Sequence, residues 1–139
     1  MAKNSQKETA IEVSNFFSRK NEEEGKWFEP LVGDVKCGIE FKVYGPNSDA
    51  NSLAEDIFEK ERELADTIED YTERHAAVKA ALLKRTSAVC ADIRGANGKE
   101  LTIHGRPVTK DDIPEIIFQS PILAVEILKF NGSQSNFLG

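Results

Sequence analysis

The feature that most constrains this fold is the stretch 50–94, which contains neither glycine nor proline. Both residue types interrupt regular structure, so their absence over this length favours helix. Directly before it, "YGPNSD" ends an extended segment, and Ser48 or Asp49 is placed to cap the free first-turn amides of a helix. The sequence therefore predicts a long helical segment over 50–94.

Apolar residues recur along this segment with the period of a plain α-helix. From Leu53 to Ile93 the repeat averages about 3.6 residues, which favours an ordinary helix over a coiled-coil heptad. A single straight helix of this length would be about 67 Å long. A compact domain of this size has a radius of gyration of roughly 14 Å. The segment therefore either folds back near 69–75 or projects and packs on another chain.

Two extended segments precede the helical one. Residues 26–32 contain Pro30, which suits an edge strand or a bulge. In residues 38–44, apolar and polar residues alternate, as in a strand with one buried face. We expect these two segments to pair antiparallel, with 101–104 as a candidate third strand.

The C-terminal part predicts two short helices. Thr109 caps the first, which starts at Lys110, and Ser120 caps the second, with Pro121 at its first position and Gly132 at its end. The residues of the last helix that we expect to face inward are Ile122, Val125, Ile127 and Leu128.

Together these elements predict an α+β fold that is mainly α. A small antiparallel N-terminal sheet is followed by the long helical segment and two short C-terminal helices. We expect one domain over 1–139. Its parts are a partly flexible arm (1–24) in which "RKNEEEG" is a solvated loop, a β-rich part (25–49), the helical segment (50–94), and a short strand with two helices and a tail (95–139).

Composition narrows the function classes. The net charge of −6 argues against DNA or RNA as the main partner, because phosphate binding needs clustered Lys and Arg. No run approaches the 18 or so apolar residues of a membrane span. The polar start "MAKNSQKETA" has no apolar signal core, so we expect the chain to stay in the cytosol.

A zinc site is a poor fit to the two cysteines and two histidines. Cys37, His75, Cys90 and His104 are spread singly along the chain, whereas structural zinc sites present ligands in close pairs. We expect both cysteines to be reduced thiols. We expect His75, on the apolar stripe, to be a core or interface histidine and His104 to be a surface group.

A calcium loop fits no better. Asn47, Asp49 and Asn51 occupy the first, third and fifth positions of such a loop. However, Ser52 and Phe58 stand where the loop needs glycine and a bidentate carboxylate. No phosphate-binding glycine loop, nucleophile elbow or zinc-protease motif occurs. The sequence predicts no enzyme, no cofactor and no metal.

Charge is strongly segregated along the helical segment. Residues 55–73 hold nine acidic and two basic groups, whereas 74–94 hold five basic and one acidic group. This order is favourable at the ends of one helix, between the two arms of a folded-back pair, or in head-to-tail contact between subunits. The third alternative predicts self-association that weakens with salt.

The chain resembles the tail assembly chaperones of long-tailed, lambda-like bacteriophages. The resemblance rests on "GKWFEPLVGD" and "GIEFKVYGPNSDA" before a long charged helix, and on the ending "GKELTIHGRPVTKDDIPEIIFQSPILAVEILKFNGSQSNFLG". In that ending Thr109, Pro121 and Asn136-Phe137 match the family's cap, second helix start and tail. The chain departs from the family in having Pro121-Ile122 where an aromatic-rich "PW" start is usual.

The resemblance implies a non-enzymatic role in virion morphogenesis. Such chaperones bind the tape measure protein, a long helical polypeptide, and keep it soluble until the tail tube protein polymerises around it. It also implies a frameshifted longer form that recruits the tube protein, a location in the host cytoplasm, and absence from the mature virion. The alternatives are a structural virion component, such as a head–tail connector or tail terminator, and an enzyme whose site is invisible in the sequence.

A chaperone for a helical client needs exposed apolar strips on a soluble acidic exterior. The long helical segment and the last helix offer such strips. Our candidate client-binding residues are Ile57, Leu64, Ile68, Leu82, Ile122, Val125 and Leu128. We expect about half of them to belong to the core instead. The alternative client region is the arm around Phe16, Phe17 and Trp27.

Overall fold

The computed structural model describes residues 10–139, so the part of the predicted arm before residue 10 lies outside it. The helices are α1 (Arg19–Glu24), α2 (Asp49–Ala65), α3 (Tyr71–Ala88), α4 (Ile113–Gln119) and α5 (Pro121–Asn131). The strands are β1 (Lys26–Phe28), β2 (Leu31–Val32), β3 (Val35–Lys36), β4 (Ile39–Val43), β5 (Cys90–Gly95), β6 (Thr102–Ile103) and β7 (Arg106–Pro107). The predicted α+β class, with an antiparallel sheet near the start, is confirmed.

The main sheet has the antiparallel order β1-β4-β5. The predicted pairing of 26–32 with 38–44 is right only for β1, where Phe28 lies opposite Phe41. Beyond Pro30 the chain leaves this sheet, and β2 pairs with β3 instead. Gly33 and Asp34 both have positive φ between these strands, which is the conformation of a tight two-residue hairpin turn.

The third strand of the sheet is β5, not the predicted 101–104. Residues 90–94 belong to the predicted helical segment, but α3 ends at Ala88 and β5 pairs with β4. Val89 and Ile93 fit a helical repeat and a strand alternation equally well, because four residues is close to one helical turn and equals two strand periods. Within 101–104, β6 forms a separate two-stranded hairpin with β7.

The core lies between the main sheet and the two C-terminal helices. Its buried residues include Phe41, Val43, Val89, Ile93, Ile113, Ile117, Leu123 and Ile127. At its edge Phe28 stacks on Phe130 with ring centroids 4.3 Å apart, and Phe137 meets Phe130 edge-on at 5.3 Å. Each large side chain buried here contributes about 1.5–3 kcal/mol, so this region provides most of the apolar stabilisation.

The run "RKNEEEG" is not a solvated loop but contains helix α1. Glu22 is buried, and its carboxylate accepts hydrogen bonds from the Asn47 amide at 2.8 Å and the Ser18 hydroxyl at 2.7 Å. A Cβ at Gly45 would collide with the Glu22 side chain, so glycine permits this close approach. The buried carboxylate therefore ties α1 to the loop that precedes α2.

Of the two predicted caps of the C-terminal helices, the one at Thr109 is confirmed, although residues 110–112 form a 3-10 turn and α4 itself begins at Ile113. The Thr109 hydroxyl and the Asp112 carboxylate bond reciprocally to each other's backbone amides in a capping box. Pro121 opens α5, although Ser120 makes no capping bond through its side chain. Of the residues expected to face inward, Ile127 is buried and Leu128 half-buried.

The expectation was wrong for Ile122 and Val125, which are exposed. The buried side of α5 is formed by Leu123, Ala124 and Ile127. Ile122 and Val125 lie on the opposite side of the helix, which faces solvent. In residues 10–139 no helix combines the length and the apolar character needed to cross a membrane.

Candidate functional site

The helical segment folds back as a helical hairpin made of α2, the turn 66–70 and α3. The Ser48 hydroxyl accepts the Asn51 amide at 3.1 Å, and the Asp70 carboxylate accepts the Glu73 amide at 2.8 Å. Each helix therefore starts with its own cap. Of the two sequence-based alternatives, the structure has the folded-back one.

Small side chains lie where the two helices of the hairpin meet. Ala65 and Ala81 are both buried there. Alanine allows close backbone approach but leaves no deep space into which large side chains could turn. Consequently Leu53, Ile57 and Leu64 of α2 remain exposed, with 69% of the Leu64 surface accessible.

An apolar groove runs along one side of the helical hairpin and continues to α4. Its first part is a depression of about 390 Å³ between α2 and α3, and its second part, of about 330 Å³, lies between α3 and α4. We call the two parts together the hairpin groove. Its lining residues are Glu61, Leu64, Ala65, Ile68, Ala77, Ala80, Ala81, Leu83, Lys84, Ser87, Pro114 and Phe118.

Charge is sparse in the hairpin groove although the chain is 30% charged. Glu61 and Lys84 are the charged members of its lining, and they form an ion pair across α2 and α3. A different depression on the hairpin is lined by Glu55, Phe58, Glu59 and Arg85, with Arg85 2.9 Å from Glu55. The hairpin thus presents one surface that is mainly apolar and a second surface on which charged side chains predominate.

Only some of the seven candidate client-binding residues line the hairpin groove. Leu64 and Ile68 line the hairpin groove. Ile57 is exposed and lies one turn before Glu61, on the same face of α2. Leu82 lies on the other side of α3 from Ala80 and Lys84, because residues two apart are separated by about 200° around a helix. The three candidates on α5 are outside the lining: Ile122, Val125 and Leu128.

Sequence reasoning missed the second part of the groove. Phe118 is 58% exposed and lines this depression together with Pro114 and Leu83. A signal was present, because "IPEIIF" is apolar on more than one face of a seven-residue helix. With Ile113 and Ile117 buried, such a helix has to leave another apolar side chain at the surface.

The two histidines are both at the surface. His75 is exposed and stacks on Tyr71 with ring centroids 6.1 Å apart, so of its two expected roles the core role is wrong and the interface role stays a prediction. His104 is the surface group that we expected, and its Nε2 lies 3.0 Å from the Glu115 carboxylate.

The two cysteines and Asn51, one of the candidate calcium ligands, have local structural partners. The Cys90 thiol lies 3.5 Å from the Thr86 carbonyl, and burial raises its pKa to about 12. Asn51 is buried and donates to the Pro46 carbonyl. Within the described part of the chain, no three His, Cys, Asp or Glu side chains are grouped so that they could hold a metal ion.

Comparisons of the chain with protein families, with curated proteins and with solved structures found no match.

Proposed function

We propose that the protein is a tail assembly chaperone of a long-tailed bacteriophage and that it binds helical segments of the tape measure protein. The observation that supports this is the hairpin groove, which is apolar, poor in charge and open to solvent. The sequence resemblance supplies the class of client. The groove supplies a surface that suits it.

The hairpin can keep this groove open without a partner. Its helices have their own caps, and the buried alanines Ala65 and Ala81 lie where they meet. The large apolar core lies elsewhere, between the main sheet and α4–α5. Exposed apolar residues of the groove are therefore free to be buried by a client, and each would contribute about 1.5–3 kcal/mol.

A helical client presents apolar residues at every third or fourth position. Leu64 of α2 and Ile68 of the turn 66–70 are four residues apart, and Ala77, Ala80 and Lys84 repeat at a similar spacing on α3. An amphipathic helix laid in the groove would cover both rows, which is the usual way in which a groove between helices binds a helix.

Co-expression with the tape measure protein tests the proposal. Leu64→Asp and Phe118→Asp place a charge in either part of the groove and should leave the chaperone folded while the client precipitates. Val35→Asp is the matched control, because Val35 is exposed to a similar degree but lies on β3. The proposal fails if both groove variants keep the client as soluble as the wild type does.

The alternative client region, the arm around Phe16, Phe17 and Trp27, is only partly exposed. Phe16 and Phe17 are exposed, whereas the Trp27 ring is covered by the Arg94 guanidinium, 3.9 Å from its centroid. If Phe17→Asp precipitates the client and Leu64→Asp does not, the client lies on the arm rather than in the groove.

The proposal includes the partners that the resemblance implies, which are the tape measure protein, a longer frameshifted form of this chain and, indirectly, the tail tube protein. It also includes a location in the host cytoplasm. Self-association also stays a prediction. The intrachain pairs Glu61–Lys84 and Glu55–Arg85 already use part of the charge opposition that motivated it. Light scattering at low and high salt would show whether any salt-sensitive oligomer remains.

A further inference from the structure

Lys84 has a special position in the hairpin groove. It lines both parts of the groove, as does Ala80, so it stands at their junction. Its side chain is 63% exposed, whereas that of its ion-pair partner Glu61 is 32% exposed. An ammonium group carries three donors, and Glu61 Oε1 accepts only one of them.

An entirely apolar helix would be a poor occupant at this point. Covering Lys84 would strip water from its remaining donors, and a buried charged group without partners is costly. A carboxylate on the occupant would replace that water with a charge-assisted hydrogen bond. The chemistry of the lining thus favours an occupant that is apolar at its ends and anionic in the middle.

The length of the groove follows from α3. Its lining residues on this helix run from Ala77 to Ser87, which is about 15 Å at 1.5 Å per residue. A client helix of the same extent has about ten residues, or three turns. Apolar residues before and after the centre would meet Leu64 and Ile68 at one end and Leu83 and Phe118 at the other.

We infer that the hairpin groove selects a three-turn amphipathic helix with a carboxylate at the centre of its apolar stripe, and that Lys84 recognises this carboxylate. The inference rests on the proposed function, because it names the segment of a helical client that the groove would hold. It makes Lys84 a specificity-determining residue and Leu64 and Phe118 the sources of affinity.

Fluorescence anisotropy with three labelled helical peptides tests it. The peptides share leucines before and after the centre and differ only in a central Glu, Gln or Lys. The Glu peptide should bind the full-length protein about two- to fivefold more tightly than the Gln peptide, which is the effect of one partly exposed ion pair. The Lys peptide should bind most weakly, and high salt should reduce these differences.

Lys84→Met retains the apolar stem and removes the charge, so it should abolish the preference for Glu over Gln. Lys79→Met is the matched control on the same helix, outside the lining, and should leave the preference unchanged. Glu61→Gln should strengthen the preference, because Lys84 loses its competing carboxylate. Circular dichroism of each variant shows whether the helices remain folded.

The outcomes separate this inference from the proposed function. Equal binding of all three peptides, abolished by Leu64→Asp, would overturn the role of Lys84 and leave the groove as the client site. Binding that survives both Leu64→Asp and Phe118→Asp would overturn the groove itself. Absence of peptide binding together with a dimer that Leu64→Asp dissociates would show that a second copy occupies the groove, and would also overturn the inference.

Discussion

Two regions of this molecule use their apolar residues in opposite ways. The base, made of the main sheet with α4 and α5, buries large side chains such as Phe41, Ile117 and Ile127 completely. The helical hairpin buries mainly alanine where its helices meet and leaves large side chains such as Leu64 at the surface. The main apolar core and the most exposed apolar helix surface therefore lie in different parts of the chain.

Their charged residues differ in the same way. Outside the hairpin, Glu22 of α1 and Asp112, directly before α4, are buried, and each accepts a backbone amide that fixes a loop or a helix start. In the hairpin, the ion pairs of Glu61 and Glu55 have at least one well-exposed partner. Exposed pairs contribute little, so the two hairpin pairs should add only slightly to stability.

The largest expected effect comes from truncating the base. Phe41→Ala should lower the free energy of unfolding by about 3–5 kcal/mol, because it removes a completely buried ring and leaves a cavity. Leu64→Ala removes a similar volume from the hairpin but should change stability by less than about 0.5 kcal/mol. Urea denaturation of both variants measures the contrast, and equal losses would show that the hairpin is part of the same core.

The next largest effect concerns the buried acid of α1. Glu22→Ala should cost about 1–3 kcal/mol, because it leaves the Asn47 amide without its acceptor in a buried setting. Glu24→Ala, on the exposed side of the same short helix, is the matched control and should be nearly neutral. A neutral Glu22→Ala would mean that α1 is not anchored to the base.

Much of this fold could be predicted from sequence because its signals are local. The cap at Ser48, the capping box from Thr109 to Asp112 and the break at Gly132 involve neighbouring residues only. The third strand could not be predicted in this way. Val89 and Ile93 fit either period, and the partner strand β4, far away in sequence, decides between them.

The candidate site was only partly predictable for a similar reason. The repeat that contains Leu64 and Ile68 identified apolar positions on one side of the groove. It did not show that α3 presents small side chains opposite them and so leaves a depression. Alanines at 77, 80 and 81 make the groove, and small residues give no strong apolar signal. Phe118 lines the groove because α4 packs on α3, and a local sequence pattern cannot predict this tertiary contact.

Stability should be sensitive to acid through Asp112, which lies directly before α4. The Arg106 hydrogen bond and the Thr109 amide lower the pKa of Asp112 to about 2, below the value near 3.9 of an unfolded chain. The Asp112 contribution is thus fully present above about pH 4 and is lost as the pH falls towards 2. Asp112→Asn should flatten this part of the stability–pH curve, whereas Asp111→Asn should not.

The smallest effect should come from the hairpin ion pairs. The coupling between Arg85 and Glu55, measured by a double-mutant cycle of Arg85→Met and Glu55→Gln, should be about 0.2–1 kcal/mol, because Glu55 is well exposed. It should shrink further at about 1 M salt, where the Debye length falls to about 3 Å. A coupling above about 2 kcal/mol that salt does not reduce would mean that electrostatics, rather than caps and alanine packing, hold the two helices together. In that event a client carboxylate that bound Lys84 would compete with Glu61 and weaken the contact between α2 and α3. Binding in the groove would then be coupled to separation of these two helices.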